Sequence, residues 1–150
     1  MNISKWAALI TLFSLLLACG ETEQQASVID SSDTGRWYTA QQLDNGAQVF
    51  GANCAVCHGD QAQGLTADWQ SRQADGAFPP PPLNGSAHAW HHPVSVLLGV
   101  IEAGGEDLGG KMPAFESVLS QDERMAAIAY FQSFWSDDTY LDWEDMGGVN

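Results

Sequence analysis

Two cysteines and a histidine, Cys54, Cys57 and His58, stand in the order Cys-X-X-Cys-His. Thiols at that separation can add across the two vinyl groups of one porphyrin, and the histidine that follows is then carried beneath the iron as its proximal ligand. The same pair could also serve as a redox dithiol or as half of a zinc site. A zinc site lacks its second pair, because the only other cysteine is Cys19 near the start of the chain. A dithiol leaves His58 without a role. Covalent haem attachment, with one haem c held by Cys54 and Cys57, accounts for all three residues.

Cys19 has a separate use. Residues 1–18 carry one lysine, Lys5, and an almost wholly apolar run from Ala7 to Ala18. That is a secretory signal: a basic start, an apolar stretch too short to span a bilayer comfortably, and small residues at the cut. Leu16-Leu17-Ala18-Cys19 resembles the bacterial lipobox, which implies cleavage before Cys19 and its lipidation. Residue 20 is glycine rather than the aspartate that retains many such lipoproteins at the inner membrane, so the resemblance leans towards the outer one. Export to the periplasmic side agrees with haem attachment, which bacteria carry out beyond the cytoplasm. With one cysteine for lipid and two for haem, no disulfide remains to form.

The 150 residues carry a formal charge of −14. Removing residues 1–18 leaves four Lys and Arg against nineteen Asp and Glu, or −15. Such a surface repels nucleic acid and anionic lipid, and it either steers the chain towards redox proteins with a basic docking face or serves general solubility. Residues 19–36 read as a lipidated cysteine followed by a polar, acidic tether. Fully extended, the fifteen residues from Glu21 to Gly35 would reach roughly 50 Å. A folded domain is expected over 37–136 and an acidic tail over 137–150. The tail's Tyr140, Leu141 and Trp143 could either pack on the domain or stay free for a partner.

Elements that position the motif follow from capping and periodicity. Thr39 and Gln42 form a capping box that predicts a helix from Ala40 to about Ala52, with Leu43, Gly46, Ala47 and Phe50 on one face. Ser120 and Glu123 predict another from Gln121 to about Trp135. A third is expected from Pro93, at its first position, to Ala103, with Val96, Leu97, Val100 and Ile101 inward and Gly104 as its stop.

Gly46, Phe50 and Cys54, at four-residue steps ahead of the motif, resemble the N-terminal helix of the class I cytochromes c. The likeness spans about residues 40–136. It implies an all-α fold of three to five helices wrapped around one covalently bound haem, with Ala127, Tyr130 and Phe131 of the last helix meeting Gly46 and Phe50. It implies that a proline two residues before a leucine offers its carbonyl to the proximal histidine. Pro81 and Leu83 match, although register within Pro79–Pro82 leaves Pro80 and Pro82 open. It also implies Met112, in the glycine-rich loop 104–115, as the second iron ligand, since Met125 falls inside a predicted helix and Met146 in the tail.

His88, His91 and His92 beside Trp90 form a dense cluster, which reads either as a second metal site for copper or as a capping loop. No phosphate loop, nucleophile arrangement or basic nucleic-acid patch is present. The expected function is that of a monomeric single-electron carrier on the periplasmic side of a membrane. The alternatives are a cytochrome subunit of an oxidase or dehydrogenase, a haem peroxidase in which Met112 dissociates, and a copper-binding module.

Overall fold

A computed structural model describes residues 34–150. The signal segment, Cys19 and nearly all of the tether lie outside the described residues. Within them the regular elements are helical: α1 (Ala40–Asn53), α2 (Ala55–His58), a 3-10 turn (His88–His91), α3 (Val94–Ala103), α4 (Gln121–Gln132) and α5 (Asp137–Asp145). None is long and apolar enough to cross a membrane.

α1 begins where its capping box puts it. The Thr39 hydroxyl accepts from the Gln42 N–H at 3.1 Å, and Gln42 Oε1 accepts from the Thr39 N–H at 3.0 Å. Each bond satisfies a backbone donor that the first helical turn leaves without a partner. α4 begins in the same way at Ser120 and Glu123. The principal helix pair is α1 against α4. Gly46 makes it possible, because a Cβ there would overlap the Ala126 carbonyl and stand 2.9 Å from Tyr130 Cβ. Four residues on, the ring of Phe50 lies 5.3 Å from that of Tyr130. Glycine and aromatic do meet α4, through the expected Tyr130, with Ala126 as the nearest neighbour of Gly46. Ala47 is exposed, contrary to the expected face, because the single crossing helix covers Gly46 and Phe50 and not a whole stripe.

α4 is buried on most sides, from Arg124 through Ala126–Ala129 to Phe131 and Gln132. It packs on α1 and α3 and so forms the centre of the domain. It ends at Gln132 rather than Trp135. Beyond it the chain tightens into shorter-range bonds, Phe134 N–H to Phe131 O and Trp135 N–H to Gln132 O. α3 starts at Val94, with Pro93 as an extended cap, and turns Val94, Leu97 and Ile101 inward while Val96 stays exposed.

The acidic stretch after Trp135 is part of the fold. Ser136 caps α5, whose Tyr140 and Trp143 are buried. Trp143 Nε1 donates to His92 O at 2.9 Å, and Gly148 O accepts from the Val94 N–H at 2.7 Å, closing α3's open end. The folded part also begins earlier than Trp37. The Arg36 guanidinium donates to Gln132 O at 3.0 Å, to Trp135 O at 3.1 Å and to Asp137 Oδ1 at 2.9 Å, and it lies 4.4 Å from the Tyr140 ring centroid. A cation on the last carbonyls of α4 is favoured by the helix dipole as well as by hydrogen bonding.

Candidate metal centre

α1 delivers the motif. Cys54 closes α1 and opens the single turn of α2, in which the Cys57 and His58 N–H groups both donate to Cys54 O, at 3.0 and 2.9 Å. Residues three apart on a helical turn share a face, so the two cysteines present their thiols on one side. They are unpaired, Cys54 half-buried and Cys57 exposed. Gly59, at φ +79°, turns the chain away directly after His58.

Burial, and then the neighbouring Cys57, push the Cys54 thiol up to about 11. A redox dithiol or zinc site needs the opposite, an easily formed thiolate. Among the described residues no group of three His, Cys, Asp or Glu side chains could hold a metal ion. The loop reading of His88, His91 and His92 agrees with their surroundings. The His91 ring stacks on Trp90 with centroids 3.8 Å apart, and His88 lies between Trp69, at 5.2 Å, and His92, at 5.6 Å. The imidazoles are spent on aromatic packing rather than turned to a common point.

His58 is buried, and its Nδ1 lies 2.9 Å from Pro81 O. A carbonyl can only accept, so Nδ1 carries the proton and Nε2 keeps its lone pair. Burial lowers the pKa of this ring, and the Pro81 bond opposes that in part. The result is a neutral imidazole with one nitrogen anchored and the other able to bind a metal. Of the four prolines, it is Pro81 whose carbonyl meets the ring.

Leu83 shows what holds that carbonyl in place. Its N–H donates to Ala62 O at 2.7 Å, and its own carbonyl accepts from Trp135 Nε1 at 2.8 Å. Ala62 O takes the Asn84 N–H too, at 3.2 Å. Ala62 is fully buried at φ +54°, the left-handed region that non-glycine residues rarely occupy. Sequence reasoning passed over both Ala62 and Trp135. No local pattern marks either, since Trp135 and Leu83 are 52 residues apart.

Met112 is half-buried in an irregular segment and packs on the same core as Cys54 and Leu83. The Gly105 N–H donates to Met112 O at 2.9 Å. A Cβ on Gly104 would stand 2.7 Å from that oxygen, so only glycine admits this approach. Met125 sits inside α4, and Met146, at the end of α5, is exposed. Two same-face thiols, a neutral imidazole with a free nitrogen and a thioether on one core form a donor set that fits a covalently bound haem.

Comparison with known proteins agrees. The family model described as cytochrome c oxidase, cbb3-type, subunit III matches residues 41–131, from α1 almost to the end of α4. A solved structure of cytochrome cL from the marine methylotrophic bacterium Methylophaga aminisulfidivorans is similar, with a TM-score of 0.51 at 21% identity. The match covers 91% of this chain and 87% of that one. At that identity the likeness speaks for the fold. Together with the attachment turn, these matches place the chain in that family and among the class I c-type cytochromes, as an electron-transfer protein with covalently bound haem c and not an enzyme.

Proposed function

We propose that this cytochrome carries single electrons between redox partners on the periplasmic side of a bacterial membrane, with His58 and Met112 as axial iron ligands and Cys19 as a lipid anchor. The family's members typically work outside the cytoplasm. The observation that carries the ligand assignment is the anchored ring of His58, with Nδ1 on Pro81 O at 2.9 Å and Nε2 free. When bound, haem c supplies an iron that cycles between ferric and ferrous states one electron at a time. Cys54 and Cys57 tie it to α2, and the Pro81 carbonyl makes His58 a stronger donor. Met112 would supply the second protein ligand, and its thioether sulfur would favour the reduced state and leave no open position for oxygen or peroxide.

The partner's face is read from charge. All four cations among residues 34–150 are engaged: Arg36 with Asp137, Lys111 with Asp75, Arg124 with Glu102, and Arg72 over the Phe78 ring. Most of the acidic groups face solvent without a partner, which favours a basic docking surface. The polar residues before Arg36 would let a lipidated domain, acting as a monomer, move above its membrane, and the outer membrane is slightly favoured.

The test is spectral and chemical. Mature protein should retain its haem through acid extraction, and its ferric spectrum should show the weak far-red band of methionine ligation. Loss of the porphyrin on extraction overturns covalent attachment, and absence of the band overturns the assignment of Met112. A Cys19→Ala variant should leave the membrane fraction. The description of the matched family favours a second reading, a cytochrome subunit of an oxidase. Stable co-migration with a larger complex from mildly solubilised membranes would select it.

A further inference from the structure

We propose that the segment from Arg72 to Phe78 is a buttress for the Met112 loop, and that Arg72 and Phe78 are positioning residues that keep Met112 on its metal. The inference rests on the reading of Met112 as the sixth ligand.

The loop is held from two sides. On the α3 side, the Phe115 N–H donates to Ile101 O of α3 at 3.0 Å, and within the loop the Gly105 N–H binds Met112 O while the Gly110 N–H returns to Gly105 O at 2.9 Å, which closes a small ring of backbone. The other side comes from a segment more than thirty residues earlier in the chain. The Phe78 N–H donates to Gly109 O at 2.9 Å. The Arg72 guanidinium carbon lies 4.2 Å from the Phe78 ring centroid, and Arg72 Nη1 donates to Gly76 O at 2.6 Å. Gly109, at φ +81°, lies against this pair: a Cβ there would stand 3.1 Å from Arg72 Nη2 and 3.3 Å from Phe78 Cδ2. Lys111 Nζ reaches Asp75 Oδ2 at 2.6 Å. Two of the three residues immediately before Met112 are therefore bonded to the 72–78 segment, and a Cβ on Gly110 would stand 4.0 Å from Phe78 O.

The segment is itself ordered. Asp75 Oδ1 accepts from the Ala77 N–H at 3.0 Å, and the Gln73 N–H donates to Ala77 O at 2.9 Å. It then runs directly into Pro79–Pro82, where proline rings stiffen the backbone. Pro81 O holds His58. One continuous strap thus touches the segments that carry both ligands, and its stiff part lies between the two contacts. Thioether sulfur is a weak ligand, so the loop's tendency to move away governs how often the bond breaks. The ion pair is exposed on both sides and contributes little. The stacked Arg72 and the backbone bond to Gly109 are the parts that constrain the loop.

The experiment measures binding of imidazole to the haem-loaded ferric protein, since imidazole enters only when Met112 leaves. Arg72→Ala should raise the apparent imidazole affinity about fivefold, equivalent to about 1 kcal/mol less stabilisation of the closed loop. A Trp37→Phe variant serves as control, because it removes a bond to Gln132 Oε1 at the C-terminal end of α4, with no bond to the 72–78 segment, and should lower thermal stability without altering imidazole affinity. If the alanine variant loads too little haem, Arg72→Gln is measured against the same threshold. An affinity within about twofold of the parent, or an equal rise in the control, overturns the buttress. A parent without the far-red band overturns the Met112 assignment instead, and the buttress with it.

Discussion

Replacing Gly46 by alanine tests the packing that delivers the attachment turn. In an isolated helix this change would stabilise by about 1 kcal/mol. Here the added Cβ overlaps the Ala126 carbonyl and stands 2.9 Å from Tyr130 Cβ. The first obstacle is backbone of the central helix, so no rotamer change can relieve it and α1 must shift away. Overpacking of that kind costs about 3 kcal/mol at the upper end of its usual range, which leaves a net loss of about 2 kcal/mol after the helix-propensity gain. For a domain of this size that lowers the melting temperature by about 8 °C. Gly51 provides the matched comparison in the same helix, with nothing within 4 Å of its would-be Cβ. Gly51→Ala should therefore stabilise, by about 0.5–1 kcal/mol. Thermal unfolding of the haem-loaded variants, followed by far-UV circular dichroism, measures both. Haem content per chain should also fall in Gly46→Ala, because a displaced α1 displaces Cys54. The reasoning is refuted if Gly46→Ala melts with the parent, or if Gly51→Ala is destabilised to a similar extent.

Trp135→Phe keeps the ring's bulk but strips the donor from Leu83 O. It should cost about 1–3 kcal/mol in urea unfolding and loosen the segment that carries Pro81. Arg36→Ala removes two carbonyl bonds at the end of α4 together with the contact over Tyr140, and about 2 kcal/mol should be lost. Asp137→Asn, whose side chain is 93% exposed, should change stability by less than about 0.5 kcal/mol. Burial raises the Tyr140 hydroxyl from 10.0 to about 12 in the folded chain. The unfolded chain therefore loses this proton first, so stability should fall as pH rises from 10 towards 12, and Tyr140→Phe should flatten that slope in alkaline denaturation. Electron transfer to a basic partner should slow as ionic strength rises from 0.01 to 0.15 M or so, and a rate indifferent to salt would contradict the docking argument.

Short-range chemistry was open to reading from residue order alone. Cys54, Cys57 and His58 lie within one helical turn, so their spacing already states their geometry. The capping boxes at Thr39 and Ser120 are interactions between residues three apart, and both helices begin where those boxes predict. The demand of Gly46 for a close neighbour was legible too, and so was Tyr130 as one residue that answers it, although Ala126 was not. Helix ends were read less well. α4 stops at Gln132, whose carbonyl is taken by Arg36 from 96 residues earlier, and no local pattern announces that bond.

Tertiary structure decided whatever depends on pairs far apart in the chain. It chose Pro81 among four prolines, because Ala62 and Trp135 hold the Leu83 backbone and thereby set which carbonyl faces His58. It converted the acidic end from an undecided tail into α5, since Trp143 and Tyr140 find burial only against the 3-10 turn, α4's end and Arg36. It also set three closely spaced histidines among aromatic rings, His88 against Trp69 and His92 and His91 against Trp90. Residue types and local spacing determine which chemistry this chain can perform, because bonding capacity belongs to each side chain. Which groups meet to perform it is set by long-range closure, where packing and hydrogen-bond satisfaction select one arrangement among many that the same local patterns allow.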